Sequence, residues 1–300
     1  MTKRQLVKKP KIIVIVGPTA SGKSDLAIQL AKRYGGEIIS ADSRQVYKGM
    51  DIGTGKVTKK GQELIRHYLL DVADPKKQFT VSDFEKLAEK AIKEISAKGK
   101  IPVIVGGTGF YIDILLGRMA TAEVPPNKKL RANLEKLSVE HLFKRLRKLD
   151  PRRAETIDVH NKRRLVRALE IILSTGKPVP KLESSIKYQV LWIGLKPKDL
   201  EKRIKKRLDA RLKRGMAREV KKLLRQGISH KRLYDFGLEY RWLSEYLKGK
   251  VSYQEMKEKL LRDIIGYSKR QMTWFKRNKE IHWVKNQKEM LALVNRFLHP

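Results

Sequence analysis

The 300-residue chain contains no cysteine. That absence excludes disulfides, thiolate nucleophiles, iron–sulfur ligation and Cys-based zinc fingers together. No apolar run is long enough to span a bilayer. The short one after the basic start MTKRQLVKK leads straight into a glycine-rich loop, unlike a secretory signal. A cytoplasmic chain with no membrane contact is expected. Histidines number 6 and show no HExxH-like spacing, so no protein-built metal cluster is indicated. Acidic side chains are scarce, 32 against 69 basic ones, for a formal net charge of +37. No internal repeat or low-complexity tract occurs.

The positive excess is uneven. Residues 1–117 hold 21 basic and 12 acidic side chains, and residues 118–300 hold 48 and 20. A surface of that kind suits a polyanion much larger than a nucleotide, nucleic acid being the commonest.

What is present begins at residues 11–24, KIIVIVGPTASGKS, where an apolar run ends in G-x-x-x-x-G-K-S. The pattern describes a strand, a phosphate-cradling loop and a helix start. Gly17 and Gly22 supply backbone angles that other residues resist, Lys23 adds a point charge, and Ser24 offers a hydroxyl suited to Mg²⁺. Three further β-branched runs, EIISAD (37–42), KIPVIVG (100–106) and YQVLWIGL (188–195), read as buried parallel strands. Helical patterns separate the first three, giving an α/β chain with a P-loop-type parallel sheet flanked by helices. The loops opening at Gly17, Asp42 and Gly106 are expected to converge on one crevice beyond the strand ends.

After Gly117 the pattern changes to charged helical segments. Residues 118–183 are therefore expected to be a helical insertion between two parts of a core, 1–117 and 184–300. From Leu200 to Gly227, apolar residues recur every four positions (Leu200, Ile204, Leu208, Leu212, Met216, Val220, Leu224), which predicts one long helix with a basic outer face. The tail from Tyr253 to Lys276 reads as a basic helix interleaved with Tyr267, Trp274 and Phe275, and HWV at 282–284 as an edge strand.

The phosphate loop alone leaves the reaction open. An ordinary NTPase needs a second strand ending in an acidic residue, yet the third strand here ends in Gly106-Gly107-Thr108-Gly109. Glycines there allow close backbone approach, and the Thr108 hydroxyl can donate to a phosphate or leaving oxygen. A carboxylate comes instead from the second strand, at Asp42. Facing a diphosphate, it suits a base or a metal-linked group, though Asp42 or Ser43 also reads as a helix N-cap. Arg163 and Arg167 lie four apart on one helix face, as either phosphate contacts or a solvated basic face.

Six blocks in order, GPTASGKS, DSRQVYKGMDIGTGK, HYLLDVADP, GGTGFYID, KRRLVRALEI and KRQMTWFKR, together resemble the tRNA dimethylallyltransferase (tRNA isopentenyltransferase) family in its compact bacterial form. The resemblance implies transfer of a dimethylallyl group from its diphosphate to N6 of the adenine 3′-adjacent to the anticodon, with pyrophosphate released. It implies a diphosphate site from Gly17, Pro18, Thr19, Ala20, Ser21, Gly22, Lys23 and Ser24 with Arg207, and Mg²⁺ at Ser24. Asp42 is implied as the base and Thr108 as the second catalytic group. The implied tRNA contacts are Asp42, Ser43, Arg44, Gln45, Arg131, Arg163, Arg164, Leu165, Val166 and Arg167, with Lys269, Arg270, Gln271, Met272, Thr273, Trp274, Phe275 and Lys276. The partners are then the anticodon stem-loop of tRNA and dimethylallyl diphosphate, with the enzyme a monomer. DFGLEYR at 235–241 follows the family pattern only loosely. The rival readings are an adenylate isopentenyltransferase acting on a free nucleotide and a P-loop small-molecule kinase.

Overall fold

A computed structural model describes residues 9–122, 124–180 and 185–299. The chain divides into two compact units, one built from the described parts of Met1–Leu116 and Ile186–Pro300, the other from those of Gly117–Ser185. The boundary expected between residues 183 and 184 lies outside the described residues.

The larger unit opens with β1 (Lys11–Val16), α1 (Lys23–Arg33), β2 (Gly36–Ser40), α2 (Lys59–Leu64), β3 (His67–Tyr68), α3 (Val81–Ala97), β4 (Ile101–Gly106) and α4 (Gly109–Leu115). The smaller unit is α5 (Lys128–Glu135), α6 (Val139–Leu149), α7 (Pro151–Thr156) and α8 (Lys162–Thr175). The chain then returns through β5 (Gln189–Leu195), α9 (Leu200–Lys213), α10 (Met216–Arg225), α11 (His230–Phe236), α12 (Leu238–Leu247), α13 (Tyr253–Phe275), β6 (His282–Val284) and α14 (Gln287–Leu298).

All six strands form one parallel sheet in the order β3-β2-β4-β1-β5-β6. The four long apolar runs are its inner strands, as expected, and HWV is its edge. The edge strand β3 escaped sequence reading because two residues carry no periodicity. Side chains of β1 alternate between faces, and both faces are covered. Ile12, Val14 and Val16 pack with Phe84, Ile92 and Ile95 of α3, while Ile13 and Ile15 pack with Leu30 of α1 and Met290 and Val294 of α14. Double coverage is why the strand reads as a continuous apolar run rather than an alternating one. Emptying one such position, as in Phe84→Ala, costs about 3–5 kcal/mol.

Residues 200–226 depart from expectation. The four-residue seam is buried at Ile204, Leu208, Met216 and Val220, but the helix breaks between α9 and α10 at Gly215, whose φ is 99°. A left-handed backbone cannot continue an α-helix, and the glycine there pays no side-chain penalty for it.

The smaller unit has its own core of Leu142, Leu146, Leu165 and Leu169, all fully buried. Leu165 and Val166, implied as tRNA contacts, belong to this core, so their side chains are spent on packing instead. Glu170 is also fully buried. Its carboxylate accepts a two-pronged pair from Arg131 (2.8 and 2.8 Å), a bond from Arg167 (2.6 Å) and the Asn127 N–H (2.7 Å). These bonds to Arg131 and Arg167 hold the carboxyl below the ordinary glutamate range despite its burial, which opposes the shift.

Candidate active site

The loops after β1, β2 and β4 open on one cleft, which Thr19, Asp42 and Gly106 all line. The first is the phosphate loop. Gly17 has φ 153°, and a Cβ there would lie 2.6 Å from the Leu195 carbonyl oxygen at the end of β5, so both conformation and space exclude a side chain. Gly22 precedes α1 with φ 91°. Ala20 also lies in the left-handed region, φ 62°, which the sequence did not flag. The Ser21 hydroxyl is enclosed and takes no hydrogen bond among the described residues. Lys23 donates to the Pro18 carbonyl at 3.1 Å, and its ammonium is pushed down to about 8, by burial first and by neighbouring Arg207 second, with Asp42 opposing.

Arg207, on α9, reaches the loop from the far side and donates to the Thr19 hydroxyl at 2.5 Å. Burial and the adjacent Arg211 lower it to about 10. Two buried cations in one cleft, Lys23 disfavoured by burial and by Arg207, and Arg207 by burial and by Arg211, describe a site completed by an anion. Arg211 is itself buried between the Gly53 carbonyl (2.7 Å) and Glu239 (2.8 Å). The Glu219 carboxylate accepts three consecutive backbone N–H groups, of Asp51, Ile52 and Gly53, at 2.6–2.9 Å. Together these side chains pin the 51–55 loop, whose Thr54 and Gly55 form a wall of the cleft. Neither Glu219 nor Glu239 stood out in the sequence, because their partners are distant in the chain.

Asp42 follows β2. One carboxylate oxygen accepts the Arg44 N–H at 2.8 Å and the Gln45 N–H at 3.3 Å, so Asp42 caps a turn and not the helix start also read from sequence, the next helix being α2 at Lys59. The other oxygen takes no protein hydrogen bond among the described residues. The capped geometry thus aims a carboxylate into the cleft and leaves it acceptor capacity. The Thr108 hydroxyl accepts the Ser43 N–H at 3.2 Å, joining the β4 turn to the β2 loop. Tyr267, from α13, lines the same cleft, and burial pushes its hydroxyl up, keeping it protonated.

The glycines of the β4 turn allow close approach, as expected, and the neighbours that use it belong to the protein itself. A Cβ on Gly106 would meet the Ala41 carbonyl oxygen, one on Gly107 the Gln271 side chain and one on Gly109 the Trp274 ring, all at 2.1–2.2 Å. Their missing side chains make room for β2 and for α13 rather than for phosphate alone. Trp274 closes this packing by donating from its indole N–H to Asp113 at 2.8 Å.

The implied tRNA residues divide by exposure. Lys269, Arg270 and Thr273 are exposed along one side of α13, as is Lys276 just after it, and Met272 and Trp274 are half-buried. Phe275 is 2% exposed and packs under the sheet, and Gln271 is 5% exposed, so neither side chain offers itself to a surface ligand. Arg44 is held by the Phe236 carbonyl, 2.8 Å from its Nε. In the smaller unit Arg163 and Arg164 are exposed, whereas Arg131 and Arg167 are engaged by Glu170.

The family model for IPP transferase matches residues 45–278. The chain belongs to the IPP transferase family. A tRNA dimethylallyltransferase of Thermoanaerobacter sp. (strain X514) is 40% identical over 306 residues, covering 96% of this chain and 97% of that relative. Another, of Acetivibrio thermocellus, is 41% identical over 285 residues, with 91% of each chain covered. Among solved structures, the full-length tRNA isopentenylpyrophosphate transferase of Bacillus halodurans has a TM-score of 0.71 at 36% identity, covering 97% of this chain and 96% of its own. A eukaryotic dimethylallyltransferase acting on tRNA has a TM-score of 0.77 at 30% identity, covering 89% of this chain and 70% of its own. Among the described residues, no helix is long and apolar enough to cross a membrane.

Proposed function

We propose that this IPP transferase family member moves a dimethylallyl group from dimethylallyl diphosphate to N6 of the adenine 3′-adjacent to the anticodon in tRNA. One observation carries the reading. A cationic diphosphate cradle (Lys23, Arg207) and a carboxylate with unused acceptor capacity (Asp42) share one cleft, while the turn after β4, where an NTPase would carry its acidic residue, reads Gly106-Gly107-Thr108-Gly109. The C1–O bond of the donor breaks as the N6–C1 bond forms. The N6 proton passes to Asp42 and pyrophosphate departs.

An exocyclic adenine amine is a weak nucleophile, so the barrier falls by stabilising charge on the leaving group and by holding carbon near nitrogen. Lys23, Arg207 and the loop amides serve the first need. The Thr108 hydroxyl joins them as a donor to the leaving oxygen, and Asp42, whose neighbour Ser43 is hydrogen-bonded to Thr108, serves the second need from the acceptor side. Val57, Leu70 and Val105 supply the apolar part of the cleft, against which a five-carbon tail packs.

Among the described residues no group of three or more His, Cys, Asp or Glu is placed to hold a metal ion. The hydroxyl of Ser24 and the carboxylate of Asp42 in one cleft fit a Mg²⁺ that arrives with the diphosphate and takes most of its ligands from phosphate and water. Bound there, the ion would neutralise charge on pyrophosphate.

The adenine must leave its stack to enter the cleft, with the surrounding backbone gripped by exposed cations. In the larger unit Lys269 and Arg270 on α13, with Lys276 just after it, suit that purpose, and in the smaller unit Arg163 and Arg164 on α8. The test is incubation with Mg²⁺, labelled dimethylallyl diphosphate and either unmodified tRNA or AMP, followed by digestion to nucleosides. Label on adenine of tRNA is expected. Label on AMP alone, or ATP turnover with no label transferred, refutes the proposal.

A further inference from the structure

We infer that Gln271 is a positioning residue that ties the donor loop to the acceptor-side turn, rather than a contact for RNA. The inference rests on the reading that the phosphate loop holds the donor. Gln271 is used at both ends of its carboxamide. Oε1 accepts the Thr19 N–H at 2.8 Å, and Nε2 donates to the Gly107 carbonyl at 2.9 Å. The two partners lie on different loops, after β1 and after β4, 252 and 164 residues away in sequence.

The fit is reciprocal. A Cβ at position 107 would stand 2.1 Å from Nε2, so the missing side chain of Gly107 is the space that the amide occupies. Thr19 is then held twice, at its N–H by Gln271 and at its hydroxyl by Arg207. Only a neutral amide of this length offers an acceptor to one loop and a donor to the other. It also adds no charge to a cleft that already holds Lys23, Arg207 and Asp42.

The consequence is geometric. The phosphate loop carries the leaving group, and the β4 turn carries Thr108, bonded through Ser43 to the Asp42 segment. Gln271 therefore sets the separation between the departing diphosphate and the groups that hold the incoming amine. Misplacing reacting atoms on the order of 1 Å costs about 10²-fold in rate.

Steady-state kinetics with dimethylallyl diphosphate and an unmodified anticodon stem-loop test this for Gln271→Leu, Gly107→Ala and the double variant, with thermal melting of each. Gln271→Leu should lower kcat by roughly 10²-fold while KM for RNA stays within about twofold of wild type. Gly107→Ala, which displaces Nε2, should do the same. The double variant should fall no further than the worse single one, because both act on one contact. Should the leucine variant not fold, Gln271→Asn, which keeps the amide but is one methylene short, carries the same expectation. A retained kcat with a raised KM for RNA overturns the inference in favour of an RNA contact. Additive losses in the cycle, or losses that track the unfolded fraction, overturn it as well. A wild-type enzyme that transfers no prenyl group at all refutes the proposed function instead.

Discussion

Lys23 should weaken the fold it sits in. Its ammonium is held at about 8 against an ordinary value of 10.5, chiefly by burial. That difference of about 2.5 corresponds to about 3 kcal/mol of preference for the neutral form in the folded state. Below pH 8 both the folded and unfolded chains carry the proton, so the folded chain bears this cost in full. Between pH 8 and 10.5 the unfolded chain retains a proton that the folded one has lost, and stability rises with pH. Lys23→Met removes the buried charge and also the 3.1 Å bond to the Pro18 carbonyl, a loss of about 1 kcal/mol. The net expectation is a variant more stable by about 2 kcal/mol at pH 7, or roughly 5 °C in melting temperature, and unable to hold the donor.

Urea titration or calorimetry of both proteins at pH 7 and pH 10 measures the effect. The advantage of the variant should shrink at the higher pH. Pyrophosphate should reverse the order at pH 7, since a ligand at a hundredfold excess over Kd stabilises the wild type by about 2.7 kcal/mol and the variant far less. A Lys23→Met protein that is less stable than wild type at pH 7, or an advantage that grows towards pH 10, refutes the reasoning.

Asp42→Ala should lower kcat by roughly 10²- to 10⁴-fold with little change in KM for either substrate, measured by steady-state prenyl transfer. Glu170→Ala leaves Arg131 and Arg167 without their shared carboxylate and should destabilise the helical unit by about 3 kcal/mol, read as faster hydrogen exchange across α5 and α8 with exchange in the sheet unchanged. If about eight phosphates are neutralised, tRNA affinity should fall on the order of 10⁴ between 50 and 200 mM salt, and a nearly flat response in a filter-binding series would contradict the basic-surface assignment.

Much of this molecule is written in local pattern. The strand, loop and helix of residues 11–33 are legible because glycine positions, β-branched runs and helical spacing each act over a few residues. Asp42 was legible for the same reason, as a carboxylate at the end of a buried strand. Gly215 was harder. The four-residue seam runs through it without interruption, and only the backbone angle reveals that the helix turns there. The exposed cations of α13 are legible in sequence as basic, but their buried neighbours Gln271 and Phe275 separate from them only once it is known what α13 packs against.

Composition and short-range pattern determined that this is a basic α/β chain with a glycine-rich G-x-x-x-x-G-K-S loop, a carboxylate at the end of a neighbouring strand and a helical segment between two parts of the core. They did so because propensity, turn chemistry and hydrophobic period are properties of neighbouring residues. Tertiary structure alone decided which arginines are engaged by Glu170, why the glycines of the β4 turn are glycines, and that Gln271 joins two loops. Those facts depend on hydrogen bonds and van der Waals contacts between residues far apart in the chain, and such distances come into being only when the strands pair and α13 reaches the loops at their ends.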